Sequence, residues 1–380
     1  MQLQQIIIDE NNLDTILYSN EQFNSQNANL VLAFGERSFL ESTLPYKKLK
    51  LLYPNSQIII CSTSGQIAKT NLVTNTLVAT SIQFEKSTFK VVEIDILLNS
   101  DILELGNTIK EKLLNDDLKS ILIISEGSYV NGTELINELI LQTKGVIPIF
   151  GGLAGDEYNF EKTLVGLNRD ATPGKIVAIG FYGDTMRFGF SSDGGWSDFG
   201  PEREVTLSDK NVLYKIGDRY ALDIYKEYLG KYADELPGSS LYFPLSMKEN
   251  EDSEPVVRTI LSIDELNKSM TFAGNIPNGS KVRLMKGNID KLIDASYNAA
   301  EEIFNNQNHK PQLIFLVSCV GRRIVLGNRI EEEIEAVKEV FGNKVLVFGF
   351  YSYGEISPTL NNVACELHNQ TMTLTTISEL

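Results

Sequence analysis

Three short polar turns follow apolar segments of this chain, and in each a Gly precedes a polar side chain. The turns, called here the first, second and third corners, are Ser64-Gly65-Gln66-Ile67, Ala154-Gly155-Asp156 and Tyr353-Gly354-Glu355-Ile356. The carboxylates of Asp156 and Glu355 can hydrogen-bond to a small polar ligand, or they can cap nearby backbone N–H groups. Both interpretations are open for these two residues. Gln66 is the weaker candidate for a ligand contact.

A cysteine and two arginines follow another apolar segment, in Ser318-Cys319-Val320-Gly321-Arg322-Arg323. A thiol beside guanidinium groups can have the lowered pKa that a nucleophile requires. A nucleophile also needs a base, and the only two histidines lie in unrelated segments. A cysteine-dependent hydrolase or transferase is therefore an alternative without a recognisable base. Arg322 and Arg323 suit binding of a carboxylate or another anion, unless they pair with surface acids.

Aromatic residues accompany these polar turns. Trp196, the only tryptophan, follows Gly194-Gly195 and can form the wall of a pocket or pack within a hairpin. Tyr351 and Tyr353 alternate along the chain and therefore share one face of a strand. Metal-binding motifs such as HxxxH and CxxC are absent from the sequence. Haem is still an alternative, because a single axial histidine such as His368 is sufficient.

The elements that position these residues form a pattern that occurs three times: apolar strand, helix, apolar strand, corner. The predicted segments are 30–34, 39–52 and 58–60, then 121–124, 133–143 and 146–150, then 313–317, 330–341 and 345–348. Such units build parallel strands, and ligands bind beyond the carboxyl ends of those strands. The pattern indicates either an internal duplication or only the resemblance that strand-helix-strand units share in unrelated proteins.

The remaining segments complete the predicted fold class. Alternating apolar residues in 71–98 and 163–216 predict added antiparallel strands. The composition changes near residue 217, where an amphipathic helix over 219–229 is followed by an acidic stretch. The sequence thus predicts an α/β protein with mixed sheets, built from strand-helix-strand units with added antiparallel strands in two related halves. The predicted divisions are a lead-in over 1–27, a first domain over 28–216 and a second domain over 217–380.

Composition excludes several classes of protein. A net charge of −16 argues against a general nucleic-acid binder, which needs clustered basic residues. No run of apolar residues is long enough for a membrane helix, and the N-terminus lacks the features of a secretion signal. The three cysteines are far apart and are expected to be reduced thiols. We therefore expect a cytoplasmic protein that binds neither nucleic acid nor membrane.

Taken together and in this order, several motifs resemble the FIST (F-box and intracellular signal transduction) family, with an N-terminal FIST domain followed by a C-terminal one. The resemblance covers about residues 28 to 375 and is carried by Ser62-Thr63-Ser64-Gly65-Gln66-Ile67, Phe150-Gly151-Gly152-Leu153-Ala154-Gly155-Asp156, Gly195-Trp196, Gly200-Pro201, Ala221-Leu222-Asp223-Ile224-Tyr225, Ser318-Cys319-Val320-Gly321-Arg322-Arg323, Gly349-Phe350-Tyr351-Ser352-Tyr353-Gly354-Glu355-Ile356 and His368-Asn369-Gln370-Thr371.

This resemblance implies a sensory module and not an enzyme. Such a module binds a small molecule, an amino acid among the candidates, and signals to a separate histidine kinase, cyclase or chemotaxis protein. The expected ligand-binding residues are Asp156, Trp196, Cys319, Arg322, Arg323, Tyr353 and Glu355. An amino acid would place its carboxylate on an arginine and its ammonium on a carboxylate. The alternatives are a haem-binding nitric-oxide sensor with His368 as the axial ligand, and a cysteine-dependent hydrolase or transferase.

Overall fold

A computed structural model of the protein describes residues 1–11, 13–96, 102–236, 238–359 and 362–380. The strands of the first part of the chain are β1 (Gln2–Ile8), β2 (Asp14–Ser19), β3 (Leu30–Gly35), β4 (Gln57–Ser62), β5 (Gln66–Ala68), β6 (Asn71–Val73), β7 (Leu77–Gln83), β8 (Thr88–Asp95), β9 (Leu118–Ser125), β10 (Ile149–Leu153), β11 (Val165–Leu167), β12 (Lys175–Tyr182) and β13 (Met186–Asp193).

The later strands are β14 (Ser197–Asp198), β15 (Arg203–Asp209), β16 (Val212–Ile216), β17 (Arg219–Tyr220), β18 (Leu245–Lys248), β19 (Val256–Arg258), β20 (Ile260–Asp264), β21 (Ser269–Phe272), β22 (Lys281–Lys286), β23 (Leu313–Cys319), β24 (Leu346–Ser352), β25 (Gly354–Thr359), β26 (Asn362–His368) and β27 (Met372–Glu379). The helices are α1 (Arg37–Thr43), α2 (Tyr46–Leu52), α3 (Ile102–Leu113), α4 (Gly132–Thr143), α5 (Ala221–Leu229), α6 (Ile289–Asn306), α7 (Val320–Leu326) and α8 (Ile330–Phe341).

Three six-stranded sheets share one strand arrangement. Their orders are β11-β4-β3-β7-β1-β2, β26-β25-β10-β9-β12-β8 and β6-β5-β24-β23-β27-β13, called here the first, second and third sheets. Each sheet contains one parallel pair of neighbouring strands, and the next strand on one side is antiparallel. The parallel pairs are β3 with β4, β9 with β10 and β23 with β24, and the antiparallel neighbours are β7, β12 and β27. The predicted α/β class with mixed sheets is therefore confirmed, and the three repeats correspond to three equivalent sheets.

Complete burial explains why the central strands were visible in the sequence. Every residue of β3, β23 and β24 is buried, so these strands are continuous apolar runs, as parallel strands covered on both faces usually are. The predicted helix over 39–52 is instead two short helices. The chain leaves α1 at Leu44, which has a left-handed φ of 45°, and Pro45 caps α2, because proline cannot continue a helix.

A fourth sheet is inserted between β13 and β23. Its nine strands have the order β19-β18-β22-β15-β16-β21-β20, with β14 paired to β22 and β17 paired to β16. Helix α5 covers this sheet, and the buried side chains of the two form a separate hydrophobic core. The acidic stretch predicted as a loop within the second domain lies in this inserted part, around β18 and β19.

Each corner leads the chain out of its own sheet and into a neighbouring one. Strand β5, after the first corner, pairs with β24 of the third sheet. Strand β25, after the third corner, pairs with β10 of the second sheet. Strand β11, after the second corner, pairs with β4 of the first sheet. The exchange is cyclic, so residues from both predicted halves complete one another's sheets.

A matching set of backbone hydrogen bonds joins the corners. In each of these bonds, the N–H of a corner residue donates to a carbonyl at or next to the end of a strand in the neighbouring sheet. The three pairs are Ser64 N to Tyr351 O at 2.8 Å, Tyr353 N to Leu153 O at 3.3 Å, and Gly155 N to Ser62 O at 3.0 Å. The carboxyl ends of the central strands therefore meet around one pseudo-threefold point. This meeting of the three corners is a feature of the fold that the sequence analysis did not predict.

The centre of the molecule is a shared aromatic core below this point. Phe34, Phe150, Phe315, Phe348 and Phe350 come from the central strands of all three sheets and are buried together. The rings of Phe34 and Phe350 have centroids 4.7 Å apart. The region predicted as a lead-in also belongs to the fold: it contains β1 and β2, and β1 pairs with β7.

Gly155 is predicted to be essential for the close approach of two corners. A Cβ at this position would lie 2.7 Å from Ser64 N and closer still to the Ser64 hydroxyl. Because backbone must move to relieve this overlap, we expect Gly155→Ala to lower the free energy of unfolding by about 1–3 kcal/mol. Urea unfolding measures the change. Gly238→Ala is the control, since a Cβ there meets nothing within 4 Å; equal stabilities for the two variants would contradict the close approach.

Candidate functional site

Strand register defines which corner residues are equivalent. Gln66 lies opposite Phe350 in β24, and Glu355 lies opposite Gly152 in β10. Phe350 and Gly152 each immediately precede a residue whose carbonyl accepts a hydrogen bond between corners, Tyr351 or Leu153. Gln66 and Glu355 are therefore equivalent. The corresponding residue of the third exchanged strand is Val165, opposite Cys61. Asp156 follows the Gly of its corner as Gln66 and Glu355 do, but it is not equivalent to them in strand register, because the second corner is followed by a longer loop.

Glu355 is a fully buried carboxyl group among hydroxyl and amide donors. Its Oε1 accepts from the Ser352 hydroxyl at 2.8 Å, and its Oε2 accepts from the Thr371 hydroxyl at 3.0 Å and the Thr371 N–H at 3.2 Å. Burial raises the pKa of Glu355 from 4.5 to about 8, although these hydrogen bonds oppose the increase. Glu355 is consequently protonated in most molecules at neutral pH.

Two amide side chains in the segment just before Thr371 have atoms without a hydrogen-bond partner. Asn369 directly follows His368, which pairs with Glu355 across β25 and β26. Two residues after Asn369, Thr371 donates to Glu355. Asn369 is 0% exposed, and among the residues that the structure describes neither its Oδ1 nor its Nδ2 has a hydrogen-bond partner. Gln370 is also 0% exposed and has an unpartnered Oε1. Buried amides are nearly always satisfied in proteins, so these atoms indicate a position for a ligand or for ordered water.

Cys319 adjoins the same group of residues. Its N–H donates to Thr371 O at 3.1 Å, and Gly321 N donates to its sulfur at 3.4 Å. Burial raises the pKa of the Cys319 thiol, and the nearby Glu355 carboxyl raises it further. We define the corner cluster as Cys319, Ser352, Glu355, Asn369, Gln370 and Thr371. At neutral pH this cluster is polar and carries almost no charge.

Arg322 lies in a closed network behind the corner cluster. Its Nε and Nη2 donate to Glu333 Oε2 at 3.0 and 2.8 Å, and both side chains are 0% exposed. Further donations reach Gly194 O at 2.7 Å and Leu292 O at 2.8 Å. Tyr351 completes the network by donating to Glu333 Oε1 at 2.7 Å. A ligand role for Arg322 stays a prediction, and this geometry favours a structural role.

Arg323, in contrast, is partly exposed. It donates through Nη1 to Ser64 O in the first corner, and its guanidinium lies 5.0 Å from the ring centroid of Tyr158. Such a contact is a cation–π interaction. Arg323 therefore connects α7 to the first corner and to the loop after the second corner, and its partial exposure leaves an anion-binding role open.

Asp156 and Tyr353 form a second group at the second corner. Asp156 is 1% exposed and forms an ion pair with Arg37 at 3.0 Å. The Tyr353 hydroxyl accepts from Phe160 N at 3.0 Å, and the two rings stack with centroids 4.5 Å apart. Asp156 thus already has a cationic partner, and the ring of Tyr353 is covered by Phe160.

Trp196 and His368 are held by main-chain contacts. The Trp196 indole donates to Gln370 O at 2.7 Å, so this residue positions the corner cluster from outside. His368 is 8% exposed, with Nε2 3.4 Å from Ser357 O. Burial, with a contribution from Arg258, lowers the pKa of His368 from 6.5 to about 4. The neutral imidazole suits metal ligation. The ring is enclosed by the protein, however, so a haem iron does not fit against its nitrogen.

The described residues contain no cluster of three or more metal-ligating side chains. In the same part of the chain, no helix is long and apolar enough to cross a bilayer. The structure brings Cys319 and Glu355 into one cluster, with Trp196 at its edge, and it brings Asp156 and Tyr353 together at the second corner. Sequence reasoning missed Asn369 and Gln370 as candidate residues, although both belong to the quoted motif His368-Asn369-Gln370-Thr371.

The fold and the buried corner cluster define a two-part α/β module. Models of the FIST N domain and the FIST C domain match residues 29–219 and 221–358. The chain therefore belongs to the FIST family, as the motifs implied. FIST domains are associated with sensory signal transduction and are regarded as non-catalytic. No curated protein matches the chain significantly.

The titration of Glu355 predicts a pH-dependent stability. Between pH 4.5 and about 8 the unfolded chain loses a proton that the folded protein retains, so the free energy of unfolding falls as the pH rises. Glu355→Gln imitates the neutral acid and removes this titration. We expect the stability of this variant relative to the wild type to increase by at least about 1 kcal/mol between pH 5 and pH 8.

Urea unfolding across this pH range measures the effect. The matched control is Glu335→Gln, which changes an exposed glutamate on α8. A Glu355→Gln curve parallel to the wild-type curve would show that Glu355 ionises normally in the folded protein.

Cys319 is predicted to be an unreactive thiol in the folded protein. Because it is 2% exposed and its pKa is raised by burial, we expect labelling by an aromatic disulfide reagent to be roughly tenfold or more slower than for free cysteine at neutral pH. A Cys61→Ser, Cys365→Ser background isolates the site, and unfolding in urea should restore the rate. Labelling faster than free cysteine would revive the hydrolase or transferase alternative.

Proposed function

We propose that this protein is a sensory binding protein whose ligand is a small molecule that places a neutral polar group in the corner cluster. The family association supports the sensory role. The observation that carries the proposal is Asn369, a fully buried side chain with two unpartnered amide atoms. Each unsatisfied buried polar group costs about 1–3 kcal/mol, and a ligand with a donor and an acceptor removes that cost.

The charges of the surrounding residues specify the class of ligand. Glu355 and Cys319 are largely neutral near pH 7 because burial raises both pKa values. Arg322 is paired with Glu333, and Asp156 is paired with Arg37. An amino acid bound by its charged head group to Arg322 and Asp156 would have to displace these partners. A neutral group such as a carboxamide needs no such displacement.

An amino acid therefore remains a candidate ligand when its side chain is an amide. The carboxamide of glutamine or asparagine has one acceptor oxygen and two N–H donors, which complement the free atoms of Asn369 and Gln370. Arg323, partly exposed on α7 beside the first corner, is suited to bind the ligand carboxylate outside the cluster. We propose that the signal passes to a separate partner, a histidine kinase, cyclase or chemotaxis protein.

The position of the corner cluster suits signal transmission. Glu355 lies on β25, which pairs with β10 of the second sheet. Thr371, which donates to Glu355, lies next to β27 of the third sheet. A ligand that reorders Asn369 and Gln370 thus acts on two sheets at once. This arrangement supports a binding module that changes the relative position of elements, without a chemical step.

The proposal predicts opposite effects of Asn369→Leu on the free and the liganded protein. Removing an unsatisfied buried amide should leave the stability of the free protein equal or increased. The same change should abolish stabilisation by ligand. Thermal unfolding with glutamine and asparagine, compared with glutamate and aspartate, measures both effects. We expect the amides alone to raise the Tm of the wild type, as ligands of the folded state do.

Asn29→Leu is the matched control. The Asn29 amide donates to Phe84 O and accepts from Phe84 N, both at 3.1 Å. Its loss should destabilise the protein by about 1–3 kcal/mol and should leave any ligand shift intact. The proposal fails if Asn369→Leu destabilises the free protein as much as Asn29→Leu does, or if it retains the ligand shift.

A further inference from the structure

A cavity of about 460 Å³ lies between α4 and the strands β18, β19 and β26. This volume is in the range of sites for small molecules. No residue of the corner cluster lines the cavity. Its charged lining residues are Glu249, Glu254, Arg258 and Glu366. The cavity is therefore a separate feature with its own electrostatic character.

Arg258 is a buried cation with free hydrogen-bonding capacity. It is 5% exposed, and it donates through Nη1 to Leu367 O at 2.9 Å and through Nε to Asn275 O at 3.4 Å. Its Nη2 has no hydrogen-bond partner within the part of the chain that the structure describes. Burial lowers the pKa of Arg258 from 12.5 to about 10, so the guanidinium is still charged at neutral pH.

Glu366 supplies the opposite charge in the same cavity. Its Oε2 is buried and has no hydrogen-bond partner. Burial raises the pKa of Glu366, while the positive charge of Arg258 lowers it. Even so, no ion pair within 4 Å joins Arg258 to Glu366 among the described residues. An arginine and a glutamate with free polar atoms thus line one cavity without a direct ion pair between them.

We propose that this cavity binds a small molecule that carries both a carboxylate and cationic amines, the chemistry of a basic amino acid. The carboxylate accepts from Arg258 Nη2, and an ammonium donates to Glu366 Oε2. A second cationic group faces the exposed Glu249 and Glu254, which give the cavity an excess of negative charge. This inference goes beyond the proposed function, because it concerns a different site and a charged ligand.

Calorimetric titration of the full chain tests the proposal with lysine, ornithine and arginine as probes. We expect at least one of them to bind at millimolar concentration or tighter. Glu366→Gln keeps the shape of the side chain and should weaken that binding about tenfold or more. Because Glu366 has no hydrogen-bond partner at Oε2, this variant should fold normally. Glu251→Gln is the control: this exposed glutamate lies in the same loop as Glu249 but does not line the cavity.

The role of Arg258 is tested through the ligand, since replacing a buried arginine risks unfolding. Cadaverine has the amines of lysine but no carboxylate, so we expect it to bind about tenfold or more weakly than lysine. Three results would each overturn the proposal: no binding of any probe, equal binding to the wild type and Glu366→Gln, or equal binding of lysine and cadaverine. Asn369→Leu should retain lysine binding, which distinguishes this site from the corner cluster.

Discussion

Three backbone hydrogen bonds between corners hold the carboxyl ends of the sheets together, and the candidate functional residues lie where these bonds are made. One of them joins Ser64 to Tyr351, across most of the length of the chain. Each corner strand pairs with the next sheet, so every sheet contains one strand contributed by another corner. The two matched domains are therefore joined by main-chain pairing, and the stability of one depends on the other.

The pseudo-threefold arrangement allows the residues at equivalent positions of the three exchanged strands to be compared. At equivalent positions of the exchanged strands lie Gln66, Val165 and Glu355. The Gln66 amide lies 2.8 Å from the Thr63 hydroxyl, within its own corner. Val165 belongs to the shared apolar core. The third corner alone combines a buried carboxyl group with neighbouring unpartnered amides, so the repeated framework supports one specialised position.

The sequence was informative where structure depends on local patterns. Fully buried strands such as β3 and β23 are continuous apolar runs, and the Gly corners mark the ends of the strands that precede them. Pairings between distant segments were not predictable, because β5 and β24 carry no sign of their partner. Arg322 was predicted to bind a ligand because nothing in the sequence identifies its buried partner Glu333, which lies on a different helix. Asn369 was overlooked because a missing hydrogen-bond partner is visible only in three dimensions.

The buried polar groups of this protein differ in whether their hydrogen bonds are satisfied. Arg322 has acceptors at Nε, Nη1 and Nη2, which shows that this fold can satisfy a fully buried charge. A buried ion without such partners is strongly destabilising. Asn369 and Arg258 lie in the same protein with polar atoms left free, one beside a neutral cluster and the other facing an unpaired carboxylate. The end of β26 lines the cavity, and Asn369 follows directly after this strand, so the two unsatisfied regions are neighbours along the chain while their free atoms require different ligands.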